Sequence, residues 1–112
     1  MNQKLKDAIM DRKKSMQVPF WVYTETGETA YIEDINDGDT VYCVYRMPNG
    51  KVGLFWGNVH IMLYGEKVVM LSEHDSDVGL SSFRLFVSFY HKNSSYAWGA
   101  TLYESSGGKI LV

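Results

Sequence analysis

The chain has 112 residues and a net charge of −2 at pH 7, with 46% apolar and 21% charged residues. This length matches one domain, and this composition excludes a chain that is mainly disordered. No apolar stretch approaches the roughly 20 residues that a membrane-spanning helix needs, so we expect no membrane span.

The first predicted element is an amphipathic helix over residues 3–16. Leu5 and Ile9 recur at helical spacing, and the positions between them are mostly charged. Asn2 is placed to cap the first turn, because its side chain can accept a hydrogen bond from a free backbone N–H. Pro19 prevents the helix from continuing, since proline has no N–H to donate.

Beyond Pro19 the apolar residues recur with a period of two, which is typical of β-strands. Short runs separated by turn residues predict an antiparallel meander of about eight strands. The candidate runs cover residues 20–25, 29–35, 40–47, 51–56, 58–64, 67–71, 83–91, 95–104 and 109–112. We expect one α+β domain over 1–112, mainly β, with a helix block 1–16 packed on a β body over 19–112. So many short strands curl into a strongly bent sheet, a small barrel or a sandwich.

The sequence has a single cysteine, Cys43, and therefore no internal disulfide. A protein without disulfides needs no oxidising compartment. The basic residues near the N-terminus precede no apolar segment of the kind that a secretory signal contains. We therefore expect a cytoplasmic location.

Charge is divided unevenly between two parts of the chain. Residues 1–16 carry +3 and residues 17–112 carry −5. Phosphate backbones bind positive surfaces, so the acidic body argues against nucleic acid as the partner. Binding of a single strand through the basic helix, with a stripe from Arg84 to Lys92, is left as an alternative.

Aromatic residues make up 14% of the chain, which is more than one small core needs. Alternation assigns one face of the run 83–91 to the core and leaves large rings on the other face. The candidate partner-binding residues on that second face are Phe86, Tyr90, Tyr103 and Arg84. Tyrosine and arginine are enriched at the centres of protein interfaces. The competing interpretation is that the helix covers this face.

Acidic residues are concentrated in the segment 25–39, which holds six carboxylates and no lysine or arginine. An acidic surface of this kind steers a basic partner toward its binding site. The candidate residues for this edge are Glu33, Asp34, Asp37 and Asp39. The competing interpretation is a hairpin surface whose charges only keep the protein soluble.

The sequence offers little for catalysis or metal binding. Its three histidines are far apart and it has no cysteine pair, which argues against a zinc site. The cluster at residues 73–77 is the densest set of potential ligands, but its composition is typical of a solvated loop. Neither a nucleophile elbow nor a phosphate-binding loop is present. We expect no catalytic residue, no cofactor and no metal.

These patterns together favour a non-enzymatic protein-binding domain. Its size and composition are typical of small inhibitors and immunity proteins of phages, plasmids and toxin systems. The acidic edge suits a basic partner, such as an enzyme that acts on nucleic acid. A small-molecule-binding or catalytic β-barrel, with His60 or His91 directed into its cavity, is the alternative from another class. Monomer and homodimer are both left open.

Overall fold

In the computed structural model, helix α1 spans Gln3–Lys14 and an antiparallel sheet follows it. The structure describes residues 1–46, 50–73, 83–87, 89–92, 100–104 and 109–110. For residues 70–73, 83–86, 100–104 and 109–110 it describes the backbone only. The strands are β1 Phe20–Thr24, β2 Thr40–Arg46, β3 Val52–Ile61, β4 Lys67–Glu73, β5 Phe83–Val87, β6 Ala100–Glu104 and β7 Lys109–Ile110. Each strand pairs with the next in chain order, and the sheet curls into a half-barrel.

The predicted order of one helix followed by a curled, antiparallel and mainly β body is confirmed. The number of about eight strands stays a prediction. Parts of the last three candidate runs, at residue 88 and over 95–99 and 111–112, lie outside the described residues.

Capping hydrogen bonds set both ends of α1. The Asn2 side chain accepts a hydrogen bond of 2.8 Å from the Leu5 N–H, as predicted for an N-cap. The helix ends at Lys14 rather than at residue 16, because Ser15 leaves the helical region with φ −140°. The last turn carries three cations, where the helix dipole favours positive charge.

Rows of paired residues cross the inner face of the sheet and form the main core. Val22 pairs with Cys43, which pairs in turn with Phe55. A second row joins Val59 to Val69. These five residues are at most 2% exposed, so burial of apolar surface on this face is a major source of stability.

Helix α1 covers part of the outer face of the sheet. Its apolar side chains Leu5 and Ile9 are buried against Tyr23 and Val44 in a second cluster. The contacts of α1 extend to β1, β2 and β3. The helix therefore covers the outer face at these three strands, and the interpretation in which it covers the face that carries Phe86 and Tyr103 stays a prediction.

Strand β3 is continuous, so the predicted break between the runs 51–56 and 58–64 is wrong. The strand passes through Gly57, which pairs with Val41 on one side and with Leu71 on the other. Glycine favours turns, but here two neighbouring strands hold its backbone extended.

The predicted strand over residues 29–35 is also wrong. Within this segment only Thr29 makes a β-bridge, and residues 32–34 form a turn. Ala30 and Ile35 are each 2% exposed. These two residues are five positions apart, so the turn between them brings both into the same core cluster where a strand would place them on opposite faces.

Candidate functional site

The hairpin between β3 and β4 ends in four exposed apolar residues, here termed the hairpin tip. These residues are Ile61, Met62, Leu63 and Tyr64. The first two are about half exposed, whereas Leu63 and Tyr64 are 89% and 86% exposed. Adjacent large apolar side chains with this exposure mark a surface that proteins use for binding.

The sequence predicts that Ile61 and Leu63 share the core face with Val59, and this is wrong for both. Val59 is fully buried, but β3 pairs with β2 only as far as Asn58. Val59 is the last buried residue of the strand, and from His60 onward the side chains reach solvent on both faces. The sequence signal for this tip is the uninterrupted apolar run from Ile61 to Tyr64, which is followed by Gly65. Strand alternation alone does not predict that these residues are exposed.

Backbone hydrogen bonds close the turn of the hairpin tip. The Met62 N–H donates to the Glu66 carbonyl at 2.7 Å, and the Gly65 N–H donates to the Met62 carbonyl at 2.9 Å. Gly65 has φ 86°, a left-handed conformation that suits glycine. The tip thus presents its side chains from an ordered turn, and such preorganisation lowers the entropic cost of binding.

A loop over residues 31–39, here termed the acidic loop, lies against the base of the hairpin tip. The Val59 N–H donates to the Asp39 carbonyl at 2.8 Å. Asp37 Oδ1 accepts a hydrogen bond of 2.9 Å from the Ile61 N–H. The acidic loop therefore takes over the pairing of β3 where β2 ends, and it brings two of the predicted carboxylates beside the tip.

The predicted acidic residues also stabilise the loop that carries them. Asp39 Oδ2 accepts a hydrogen bond of 2.8 Å from the Asn36 N–H. Asp34 forms an ion pair of 2.9 Å with Lys92 Nζ, and the hydrogen bond and charge of Asp34 raise the pKa of Lys92. An ionised carboxylate accepts about four hydrogen bonds, so these contacts leave acceptor positions for a partner.

Glu33 joins the acidic loop to the chain segment after β5. Its carboxylate accepts a hydrogen bond of 3.0 Å from the Lys92 N–H and lies 2.8 Å from Nδ1 of His91. Desolvation acts to raise the pKa of Glu33, but the hydrogen bonds from Lys92 and His91 outweigh it. The pKa therefore lies below its ordinary value of 4.5.

Lys67, at the start of β4, holds the acidic loop from the other side. Its Nζ donates to the carbonyls of Ile32 and Ile35 at 3.0 Å and 2.8 Å. The Lys67 ammonium therefore stabilises the backbone of the acidic loop. In all, the loop is hydrogen-bonded to β3, to β4 and to the segment after β5.

Tyr90 is buried, so the prediction that it faces outward is wrong. It is 3% exposed. Its ring centroid lies 5.4 Å from that of Phe20 and 4.6 Å from that of Trp21. β5 ends at Val87, so strand alternation does not extend to Tyr90. Burial in this cluster raises the pKa of the Tyr90 hydroxyl.

The other three residues of the predicted aromatic face belong to β5 and β6. The backbone register pairs Arg84 with Tyr103 and Phe86 with Thr101. The side chains of Arg84, Phe86 and Tyr103 lie outside the described part of the structure. Their role as partner contacts stays a prediction.

The structure shows the surroundings of Cys43, His60 and His91, the residues that the sequence offered for chemistry. Burial raises the pKa of the Cys43 thiol, which disfavours the thiolate that a nucleophile needs. His60 is exposed and His91 is bonded to Glu33 at the surface, so neither is enclosed in a cavity.

Among the described residues no group of three or more potential ligands could hold a metal, and residues 74–77 of the predicted cluster lie outside them. No described helix has the length and apolar character needed to cross a membrane.

Comparison with known proteins gives no relative from which a function can be transferred. No protein-family model, no curated protein and no solved structure matches the chain. The functional interpretation therefore depends on the geometry of the hairpin tip and the acidic loop.

Proposed function

We propose that the protein is a non-enzymatic protein-binding domain whose central contact is the hairpin tip. The observation that carries this proposal is the exposure of four adjacent apolar side chains on an ordered turn. Full burial of one exposed apolar side chain contributes about 1.5–3 kcal/mol, and burial of the half-exposed Ile61 or Met62 contributes about half of that. Together these contributions offset part of the cost of association.

The residue types at the tip support this role. Tyr64 combines a large ring with a hydroxyl that can find a partner at the edge of an interface. Met62 has an adaptable thioether side chain of the kind used at binding surfaces. The hairpin tip is thus the apolar centre of the proposed contact and the acidic loop forms its rim, while Phe86, Tyr103 and Arg84 stay predicted contacts.

A small inhibitor or immunity-type protein is the class that we propose for this arrangement. Such a protein acts by occupying its partner, so it needs a rigid scaffold and an exposed anchor rather than a catalytic group. A basic partner such as an enzyme that acts on nucleic acid suits the acidic rim. A cytoplasmic location is part of the proposal, because the free cysteine Cys43 requires no oxidising compartment.

Affinity capture from the native host, with three forms of the full chain, tests this function. The forms are the wild type, the double variant Leu63→Ser/Tyr64→Ser, and a control, Met10→Ser. Met10 is an apolar residue of α1 that is 56% exposed. We expect a protein that the wild type and the control capture equally, and that the tip variant captures at least about tenfold less. A loss of about 1.4 kcal/mol is sufficient for that change.

The captured protein is then purified and its Kd measured with each form. A Kd that is the same for the wild type and the tip variant would contradict docking through the tip. Failure to capture any protein with the wild-type chain would do the same.

A further inference from the structure

Three exposed carboxylates flank the hairpin tip, and Asp37, Asp39 and Glu66 are here termed the acidic collar. Asp37 is hydrogen-bonded to Ile61, the first residue of the tip. Asp39 is joined through its carbonyl to β3. Glu66 follows the turn directly, and its carbonyl accepts a hydrogen bond from Met62. Hydrogen bonds to Val59, Ile61 and Met62 of the hairpin therefore hold the three collar residues beside the tip.

The charge around the tip is negative, although Lys92 forms an ion pair with one of the nearby carboxylates, Asp34. The segments 31–39 and 58–67 hold five carboxylates and one lysine. That lysine, Lys67, already donates to two carbonyls of the acidic loop. Charges interact over about 8 Å at physiological ionic strength, so cations at the edge of a docked surface would lie within range of the collar.

Two of the three collar charges are also held in place. The carboxylate of Asp37 is fixed by the Ile61 N–H and that of Asp39 by the Asn36 N–H. A charge that is already ordered loses little side-chain entropy when it pairs with a cation of a partner. Fixed carboxylates beside an apolar turn thus form a preorganised pattern, apolar at the centre and negative at the edge.

We infer that the hairpin tip binds a protein surface on which an apolar patch is bordered by lysine or arginine side chains. This inference rests on the proposed function and adds how apolar and basic groups are arranged on the partner. The apolar centre buries the tip, and the border cations pair with the collar. By contrast, an anionic membrane and a nucleic-acid phosphate backbone carry negative charge, so the collar would repel them.

Nuclear magnetic resonance titration of the isotope-labelled full chain tests this chemistry with defined probes. The first probe is a synthetic amphipathic helical peptide with a leucine stripe bordered by lysine. The second has the same leucine stripe bordered by glutamate. The third is a vesicle that contains anionic phosphatidylserine. We expect the leucine–lysine peptide to shift the amide signals of residues 37 and 61–66, with an affinity at least about tenfold above that of the leucine–glutamate peptide.

A matched pair of variants separates the charge of the collar from its structure. Asp37→Asn keeps an oxygen that can accept from the Ile61 N–H but removes the charge. Asp7→Asn is the control, because Asp7 lies on α1 and also accepts a side-chain hydrogen bond, from Gln3 at 2.8 Å. We expect Asp37→Asn to weaken binding of the leucine–lysine peptide by about threefold or more and Asp7→Asn to leave it unchanged.

Equal affinity for the two peptides at the tip would overturn the basic partner while leaving tip-mediated docking intact. No shift with either peptide, or a shift confined to α1, would overturn the inference as well. The inference would also be overturned if the phosphatidylserine vesicles, and not the leucine–lysine peptide, shifted the signals of the hairpin tip. Failure of the proposed function itself is seen separately, as host capture that does not depend on Leu63 and Tyr64.

Discussion

Asp37 Oδ1 accepts a hydrogen bond of 2.9 Å from the backbone N–H of Ile61, which lies 24 positions further along the chain. The bond joins the acidic loop to the first residue of the hairpin tip. It requires an oxygen at this position but not a charge, because an amide oxygen is also an acceptor. Geometry and electrostatics can therefore be separated at this one residue.

Two substitutions of Asp37 should differ in their effect on stability. Asp37→Ala removes the acceptor and should lower the free energy of unfolding by about 1 kcal/mol, the net contribution of a typical hydrogen bond. Asp37→Asn retains the acceptor and should change that free energy by less than about 0.5 kcal/mol. Urea denaturation measures both. Equal losses in the two variants would show that the charge, not the hydrogen bond, stabilises the loop.

Gly27 and Gly65 have similar backbone conformations, with φ 90° and 86°, but different surroundings. A Cβ atom at Gly65 would meet nothing within 4 Å, whereas one at Gly27 would lie 2.8 Å from the backbone nitrogen of Leu5 in α1. Gly65→Ala should therefore cost only the strain of the left-handed backbone, about 1–2 kcal/mol. Gly27→Ala should cost more, because the helix must move. Thermal unfolding followed by circular dichroism compares them, and equal Tm values would refute the close contact.

Glu33 should make stability depend on pH. Desolvation opposes ionisation, but hydrogen bonds from Lys92 and His91 lower the pKa of Glu33 below 4.5 in the folded state. A carboxyl group with a depressed folded-state pKa stabilises the fold above its unfolded pKa, and that contribution is lost as the pH falls through the folded value. We expect Glu33→Gln to be less stable than the wild type at pH 7, with the difference vanishing in acid. Urea denaturation of both proteins between pH 7 and acid pH tests this expectation. A stability difference that stays constant with pH would contradict it.

The helix could be predicted from the sequence because its determinants are local. The spacing of Leu5 and Ile9 and the capping side chain of Asn2 act within one or two turns, and the structure confirms them. The acidic loop could not be predicted as a loop. Ala30 and Ile35 are five positions apart and would lie on opposite faces of a strand, yet both are buried in the same core cluster because the backbone turns between them.

The hairpin tip could not be recognised from alternation, because its exposure depends on a distant strand. Ile61 follows Val59 at strand spacing, yet the pairing of β3 with β2 ends at Asn58. Tyr90 shows the opposite case, since it is predicted to face outward and is buried against Trp21. In both cases the outcome depends on where a strand stops, which the turn residues of the sequence do not specify.

Stability and binding should be separable at the hairpin tip. Leu63 and Tyr64 are almost fully exposed, so Leu63→Ser/Tyr64→Ser removes little buried area and should change the free energy of unfolding by less than about 0.5 kcal/mol per site. The matched control lies in the same hairpin. Val59 is fully buried, and Val59→Ala should lower the free energy of unfolding by about 2 kcal/mol through lost burial and the cavity left behind. Urea denaturation of the three proteins measures this contrast. A tip variant as unstable as Val59→Ala would mean that the tip packs against its own chain and is not free to bind a partner.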